Sequence, residues 1–276
     1  MDDTVTHGKS IDHGAAAHSR LAALAGVRVV SHWRMPLFRN GYALLASSTA
    51  TSALGLFYWV LAARFYSAET VGLGSATLSA MLLLSGISQL GLNSVLVRFV
   101  PIAGGKTSRL VGYAYLINIT LGVLASSIFL LGLDRWAPSL SYLRSSAGWQ
   151  IAFIAATAAW GIFALQDSAL TGLRQAMWVP LKNTAFAISK IILLVVLAGS
   201  FQAIGIFASW NLPVLVLLLP INWLIFTRLI PRHTPMSVEQ SSSVTSRVIA
   251  RFISGKYPGS LLFQASTTLL PIMVTN

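Results

Sequence analysis

Residues 191–227 read IILLVVLAGSFQAIGIFASWNLPVLVLLLPINWLIFT and contain no charged side chain. A helix needs about 20 apolar residues to cross ~30 Å of hydrocarbon. This run is therefore long enough for most of two membrane helices, and the turn signal GSFQ at 199–202 divides it. Further uncharged runs, each long enough for one crossing, lie at 41–63, 70–97, 110–133, 145–166 and 257–276.

The overall composition supports the same interpretation. Of the 276 residues, 55% are hydrophobic and only 9% are charged, whereas an ordinary soluble domain has about 25% charged residues. A water-soluble fold this poor in charge would lack polar surface. The sequence therefore predicts an all-α integral membrane protein, a multi-helix bundle. We place its membrane helices at 41–63, 72–97, 110–133, 147–170, 181–198, 204–226 and from 257 onward.

These helices divide the chain into four predicted segments. Residues 1–40 form a basic cytoplasmic tail, and residues 41–226 form a six-helix transmembrane lobe. Residues 227–256 are a polar cytoplasmic linker between lobes, and residues 257–276 are a truncated seventh helix. Because this last segment has no flanking charge to anchor it, we expect the chain to be a fragment of a longer protein.

The net charge of +12 raises the question of nucleic acid binding, but the positions of the charges indicate a membrane topology instead. The basic residues lie mainly in short loops between apolar runs. With the N-terminus in the cytoplasm, fifteen of the nineteen Lys and Arg residues fall on the cytoplasmic side and three on the other side. The sequence thus predicts a multi-pass protein of the cytoplasmic membrane, with the N-terminus inside and no nucleic acid partner.

Several kinds of chemistry find no support. The chain has no cysteine, which excludes disulfides, thiolate zinc sites and cysteine nucleophiles. Its histidines lack the spacing of a metal site. The GGKT stretch at 104–107 resembles the end of a phosphate-binding loop, but Val100 stands where that motif requires a glycine. No catalytic trio lies in an extramembrane domain, so we expect no metal, no cofactor and no enzymatic activity.

Two ionisable residues are predicted at membrane depth, where such groups are costly and face a partner or a wet cavity. Lys190 lies ~13 Å inside the fifth predicted helix, and Asp167 lies ~5 Å from the inner end of the fourth. A lysine reaching toward the cytoplasm could meet that carboxylate. We therefore expect the two to pair. Whether the pair lines a cavity or joins two packed helices is left open.

Three further cations are predicted at the cytoplasmic ends of helices. Arg98, Arg174 and Lys182 could attract the phosphates of a lipid-linked substrate. The alternative, which is favoured for each residue singly, is that they set topology and anchor to lipid headgroups.

Amides and prolines complete the candidates. Most amides inside a bundle join helices together, and we keep Asn93 as a candidate substrate contact. Pro213 and Pro220 are predicted to interrupt the sixth membrane helix, because proline removes a backbone hydrogen bond, and are hinge candidates. The amides predicted at membrane depth are Gln89, Asn93, Asn118, Gln166, Asn211 and Asn222.

Three stretches carry a family resemblance. Residues 39–101 (RNGYALLASSTATSALGLFYWVLAARFYSAETVGLGSATLSAMLLLSGISQLGLNSVLVRFVP) resemble the first two helices of bacterial polysaccharide-biosynthesis membrane proteins. These are oligosaccharide flippases of the multidrug/oligosaccharidyl-lipid/polysaccharide (MOP) exporter superfamily. Residues 166–194 (QDSALTGLRQAMWVPLKNTAFAISKIILL) are similar to the fourth-to-fifth-helix region of that family, and residues 207–226 (FASWNLPVLVLLLPINWLIF) to its sixth helix.

The resemblance implies two six-helix lobes around a central cavity, of which this chain supplies the first lobe, the linker and part of the seventh helix. It implies a flippase that moves lipid-linked oligosaccharide or polysaccharide precursors of the cell envelope, such as those of lipopolysaccharide, by alternating access. The implied partners are the phospholipid bilayer, the lipid-linked sugar and glycosyltransferases of polysaccharide assembly. Transport in this family needs both lobes.

Other functions stay open at this point. A small-molecule H⁺ or Na⁺ antiporter of the same superfamily would need intramembrane carboxylates, and here only Asp167 qualifies. The basic tail would suit a second alternative, a non-transporting membrane scaffold for envelope polysaccharide assembly. A polysaccharide polymerase is disfavoured, since the sequence predicts no large outer loop.

Overall fold

The computed structural model describes residues 36–199 and 202–233, and the described part is helical without any strand. The predicted seventh helix and most of the predicted tail and linker lie outside these residues. By contacts, the chain divides into two compact units, Met1–Ala50 and Thr51–Asn276. The described part of the first unit is helical, and the second unit contains the helical bundle.

The helices are numbered in chain order. Their bounds are α1 Pro36–Phe65, α2 Ala68–Ser88, α3 Leu92–Phe99, α4 Thr107–Leu131, α5 Leu133–Trp136, α6 Ala147–Gly172, α7 Trp178–Ala198, α8 Gln202–Leu224 and α9 Ile230–His233. Short 3₁₀ helices lie at Val100–Ile102, Gly104–Lys106 and Pro138–Arg144, and a π-helical segment, Ile225–Leu229, joins α8 to α9.

Five helical segments within the described residues are long and apolar enough to cross a membrane: Ala68–Ser88, Gly104–Leu131, Ala147–Gly172, Trp178–Ala198 and Ile204–His233. The part Thr51–Phe65 of α1 is also apolar but shorter. Large apolar side chains such as Leu131 and Leu219 are exposed on the outside of the bundle, which is the arrangement expected where lipid surrounds a protein. The predicted all-α membrane bundle is confirmed.

Helix α6 lies at the centre of the bundle and packs against α2, α3, α4, α7 and α8. Small residues on α6 permit these close approaches. A Cβ added at Gly161 would collide with the side-chain amide of Asn118 on α4. The Ser146 hydroxyl accepts a hydrogen bond from the Trp149 N–H at 3.3 Å and caps the start of α6.

The prediction of one continuous membrane helix at 72–97 is wrong. Helix α2 ends at Ser88 and α3 begins at Leu92, because Leu90 and Gly91 both adopt left-handed backbone conformations, with φ of 47° and 73°. A left-handed residue stops the helical ladder. The apolar pattern continues across the break, so composition alone does not show where the backbone turns.

We expect Gly91→Ala to lower the free energy of unfolding by about 1–2 kcal/mol, the cost of a Cβ in the left-handed region. Nothing lies within 4 Å of such a Cβ, so backbone strain is the whole effect. Gly91→Asn should cost less, since asparagine tolerates this conformation. Titration with SDS in mixed micelles measures both variants, and equal losses for alanine and asparagine would contradict this account.

Helix α8 continues through Pro213 and Pro220 without a break in its α-helical bounds. The predicted interruption at these prolines is therefore wrong, and their role as hinges stays a prediction. The irregular part lies further on, where the π-helical segment begins at Ile225. The helical path then reaches His233, inside the stretch predicted as linker.

Candidate functional site

An ion pair joins α6 to α7 inside the bundle. Helix α6 ends at Gly172 and α7 begins at Trp178, so residues at similar distances from this turn face each other. Asp167 and Lys182 meet in this way, with 2.6 Å between Lys182 Nζ and Asp167 Oδ1. The Lys182 side chain is fully buried, and that of Asp167 is 30% exposed.

This pairing corrects the expectation that Asp167 would pair with Lys190. Lys190 lies eight positions beyond Lys182 on α7, which is ~12 Å along a helix. A short turn fixes the register of the two antiparallel helices, so the carboxylate is opposite the nearer lysine. The sequence expectation was wrong because it placed Lys182 at the very end of its helix, whereas the helix begins at Trp178 and Lys182 is buried.

Further contacts satisfy the ion pair. The Lys182 ammonium donates to the Phe163 carbonyl oxygen at 2.6 Å and lies 3.5 Å from the centroid of the Phe163 ring. The Asn183 side-chain N–H donates to Asp167 Oδ2 at 3.2 Å. A buried ion pair stabilises a fold only when such additional hydrogen bonds are present. These contacts favour a structural role for Lys182 and Asp167.

Lys190 has different surroundings, because its ammonium faces aromatic rings. The distances from Nζ to the ring centroids are 3.8 Å for Trp210, 4.8 Å for Tyr58 and 5.2 Å for Phe186. Lys190 is only 5% exposed, and no carboxylate lies within ion-pair distance among the residues that the structure describes. Cation–π contacts of this kind stabilise a cation without neutralising it.

Rings connect the two lysines into one assembly, which we call the lysine–aromatic cluster: Lys182, Lys190, Tyr58, Trp160, Phe163, Phe186 and Trp210. Lys182, Phe186 and Lys190 follow one another at intervals of four and share one face of α7. Ring centroids are 5.3 Å apart for Phe163 and Phe186, and 5.8 Å apart for Phe186 and Trp210. The cluster therefore contains a buried lysine, Lys190, that has no carboxylate partner among the described residues.

The Tyr58 ring is held in place by polar contacts to α8. Its hydroxyl lies 2.9 Å from the Ser209 hydroxyl and donates to the Ile206 carbonyl oxygen at 3.3 Å. Sequence reasoning missed these aromatic residues. The one signal that could have found them is the four-residue spacing of Lys182, Phe186 and Lys190 on an otherwise apolar helix.

Several amides join helices, as predicted. Asn118 on α4 donates to the Ala158 carbonyl oxygen on α6 at 3.2 Å and accepts from the Ser88 hydroxyl at 3.1 Å. The Gln166 amide donates to Asn222 Oδ1 at 2.9 Å. These hydrogen bonds link α2, α4, α6 and α8, and they give the amides partners within the protein.

Asn93 and Arg98 lie on α3. The Asn93 amide donates to Gln89 Oε1 at 2.5 Å, and Asn93 Oδ1 is buried without a hydrogen-bond partner in the described structure. The Arg98 guanidinium lies 5.7 Å from the centroid of the Phe99 ring. Both therefore stay predicted rather than demonstrated site residues.

Arg174 occupies an unusual backbone position just after α6. Its φ is 60°, in the left-handed region. The Arg174 N–H donates to the Thr171 carbonyl oxygen at 3.0 Å, and the Gln175 N–H donates to the Leu170 carbonyl oxygen at 2.9 Å. This pair of bonds is the Schellman motif, in which glycine is the usual residue. An arginine here costs about 1–2 kcal/mol of backbone strain.

Arg174 lines a cavity of about 570 Å³ at the end of the bundle where α6 turns into α7. Arg228 and Arg232, from the end of the α8–α9 path, line it as well, together with Trp178 and Trp223. Sequence reasoning counted these two arginines as topology signals and missed the cavity. No spacing in the sequence shows it, because its lining residues come from two separate parts of the chain, the α6–α7 turn and the end of the α8–α9 path.

A known protein family matches most of the chain. The family model described as "Polysaccharide biosynthesis protein" matches residues 37–275. No curated protein and no solved structure matches the chain.

Proposed function

This chain belongs to the polysaccharide biosynthesis protein family, and from that premise we propose that it is a flippase for lipid-linked oligosaccharide or polysaccharide precursors. The family match confirms the resemblance drawn from the sequence, and the helices make the chain a multi-pass membrane protein. In this proposal the precursor crosses the cytoplasmic membrane by alternating access, the N-terminus is cytoplasmic, and Pro213 and Pro220 act as hinges.

The physical problem of such a flippase is to carry a phosphate-bearing sugar headgroup across hydrocarbon while the lipid tail stays in the bilayer. A fixed positive charge along the path lowers the barrier for the phosphate. Lys190 supports the proposal best, because its buried ammonium is surrounded by rings and has no carboxylate partner among the described side chains. In the proposed cycle a substrate phosphate becomes the counter-charge of Lys190.

The antiporter alternative has less support. It would use Asp167 as the coupling carboxylate, but Asp167 is already engaged by Lys182 and Asn183. A carboxylate held by a buried cation gives up that contact only at a high free-energy cost. No contact in the described structure favours the scaffold alternative over transport.

We expect Lys190→Met to reduce the rate of headgroup translocation at least tenfold, which corresponds to the loss of about 1.4 kcal/mol of interaction with the phosphate. Methionine is an unbranched side chain one heavy atom shorter than lysine, and it removes the charge. The free energy of unfolding should be unchanged or higher, since an unpaired buried cation becomes an apolar group. The measurement is translocation of a fluorescent lipid-linked sugar by the protein in proteoliposomes.

Lys106→Met is the matched control, because Lys106 is an exposed lysine just before α4 and the substitution is the same. It should leave the translocation rate unaltered. Normal translocation by Lys190→Met would refute the role of this residue. Absence of translocation in the unaltered protein, with binding to glycosyltransferases intact, would favour the scaffold.

A further inference from the structure

The cavity at the α6–α7 turn contains a concentration of positive charge. Arg174, Arg228 and Arg232 line it, and no Asp or Glu is among its described lining residues. None of these three arginines forms an ion pair with a carboxylate in the part of the chain that the structure describes. Three guanidinium groups around one cavity of about 570 Å³ favour an anionic ligand.

Arg174 is placed in this cavity at the expense of backbone strain. The Schellman motif at the end of α6 would be formed more easily by glycine, yet the residue with φ of 60° is an arginine. Strained positions of this kind gather at ligand sites. The turn itself would form more easily with glycine, so the arginine side chain at position 174 points to a function in binding.

Arg228 lies in a second irregular element. In the π-helical segment Ile225–Leu229 the hydrogen bonds join residues five apart, as from the Ile230 N–H to the Ile225 carbonyl oxygen. The Arg228 guanidinium lies 5.3 Å from the centroid of the Trp223 ring. Stacking on an aromatic ring orients a guanidinium without neutralising it, and its N–H groups stay available to an anion.

The chemistry of the lining identifies the class of anion. Guanidinium groups bind phosphate oxygens through pairs of parallel hydrogen bonds. The two tryptophans, Trp178 and Trp223, are the residue type enriched at membrane–water interfaces, and Trp223 is 57% exposed. The cavity lies at the ends of apolar segments that include Trp178–Ala198 and Ile204–His233, at the face predicted to be cytoplasmic.

We propose that this cavity binds the phosphate-bearing headgroup of an anionic phospholipid of the adjacent leaflet. Basic pockets between membrane helices on the cytoplasmic side bind the phosphate-bearing headgroups of anionic lipids such as cardiolipin. The exposed tryptophan and the neighbouring apolar helices suit a ligand with acyl chains better than a soluble phosphate. This site goes beyond the proposed transport function and does not require it, since the lipid is bound and not moved.

The test uses the purified 276-residue chain in neutral detergent and measures the midpoint of thermal unfolding during titration with cardiolipin, a lipid with two phosphates. The midpoint of the unaltered protein should rise with cardiolipin and saturate. In the double variant Arg228→Ala, Arg232→Ala the half-saturating concentration should increase at least tenfold. Phosphatidylcholine and inorganic pyrophosphate, at equal concentrations, should not produce the rise.

Arg174→Gly is the second variant and separates folding from binding. Glycine relieves the strain at φ of 60°, so the midpoint without lipid should rise while the response to cardiolipin weakens. Arg109→Ala, an exposed arginine at the start of α4, is the matched control and should keep the full response. An unchanged response in the Arg174 and double variants, an equal loss with Arg109→Ala, or an equal effect of pyrophosphate would each overturn the proposal.

Discussion

Replacing Asp167 with asparagine is expected to lower the free energy of unfolding by about 3–5 kcal/mol, because it leaves a buried ammonium without its counter-charge. The Lys182 side chain is fully buried, and its Nζ lies 2.6 Å from Asp167 Oδ1. Asparagine has nearly the size of aspartate, so packing changes little and the electrostatic effect dominates. SDS titration in mixed micelles measures the loss.

A second ion pair in the same chain provides the matched control. Arg144 and Asp134 are also 2.6 Å apart, but their side chains are 44% and 69% exposed. Exposed pairs contribute about 0–1 kcal/mol, so Asp134→Asn should have little effect. The two ion pairs have the same N–O distance and differ in burial, so comparing the two Asp→Asn substitutions isolates the effect of burial.

A double variant tests the physical reason for the Asp167 effect. Lys182→Met combined with Asp167→Asn removes both charges and should recover most of the lost stability, as replacements of whole buried ion pairs do. The proposed cause would be wrong if the double variant were as unstable as Asp167→Asn alone, or if Asp134→Asn were equally harmful.

The second large effect is expected at the contact between α3 and α6. A Cβ added at Gly172 would lie 2.7 Å from the Leu96 carbonyl oxygen and 2.8 Å from the Val100 Cβ. Both atoms belong to or adjoin the backbone, so no side-chain rotation relieves the collision. Gly172→Ala should therefore cost about 1–3 kcal/mol, the usual range for overpacking.

Gly112 provides the control for this substitution. It lies within α4, and nothing is within 4 Å of an added Cβ. Gly112→Ala should be neutral or stabilise the protein by up to about 1 kcal/mol, because alanine is the better helix former. The same unfolding titration measures both variants. If Gly172→Ala and Gly112→Ala had the same free energy of unfolding, the close packing of α3 against α6 would be contradicted.

The uncharged runs predict most helices to within a few residues. The run that begins at Leu110 belongs to α4, and the turn signal at 199–202 separates α7 from α8 as expected. Hydrocarbon requires continuous apolar helices, so this information is local and can be read from composition. The break at Leu90 and Gly91 could not be read in this way. The residues on both sides of it are apolar whether the helix continues or turns.

The candidate site was predicted only in part. The charges of Asp167, Lys182 and Lys190 stand out in apolar surroundings, and the structure places all three inside the bundle. Which charges pair depends on the register of α6 against α7, and that register follows from the length of the turn between them. The rings around Lys190 come from three helices, so no single stretch of sequence contains the arrangement.

The sequence by itself determined that this chain is a bundle of membrane helices of the polysaccharide biosynthesis family, because hydrophobic length and family motifs are properties of consecutive residues. The tertiary structure alone decided that Lys182 pairs with Asp167 while Lys190 faces aromatic rings, and that Arg174 joins Arg228 at one cavity. Electrostatic energies depend on distances of a few ångströms between side chains far apart in the chain, and only packing sets those distances.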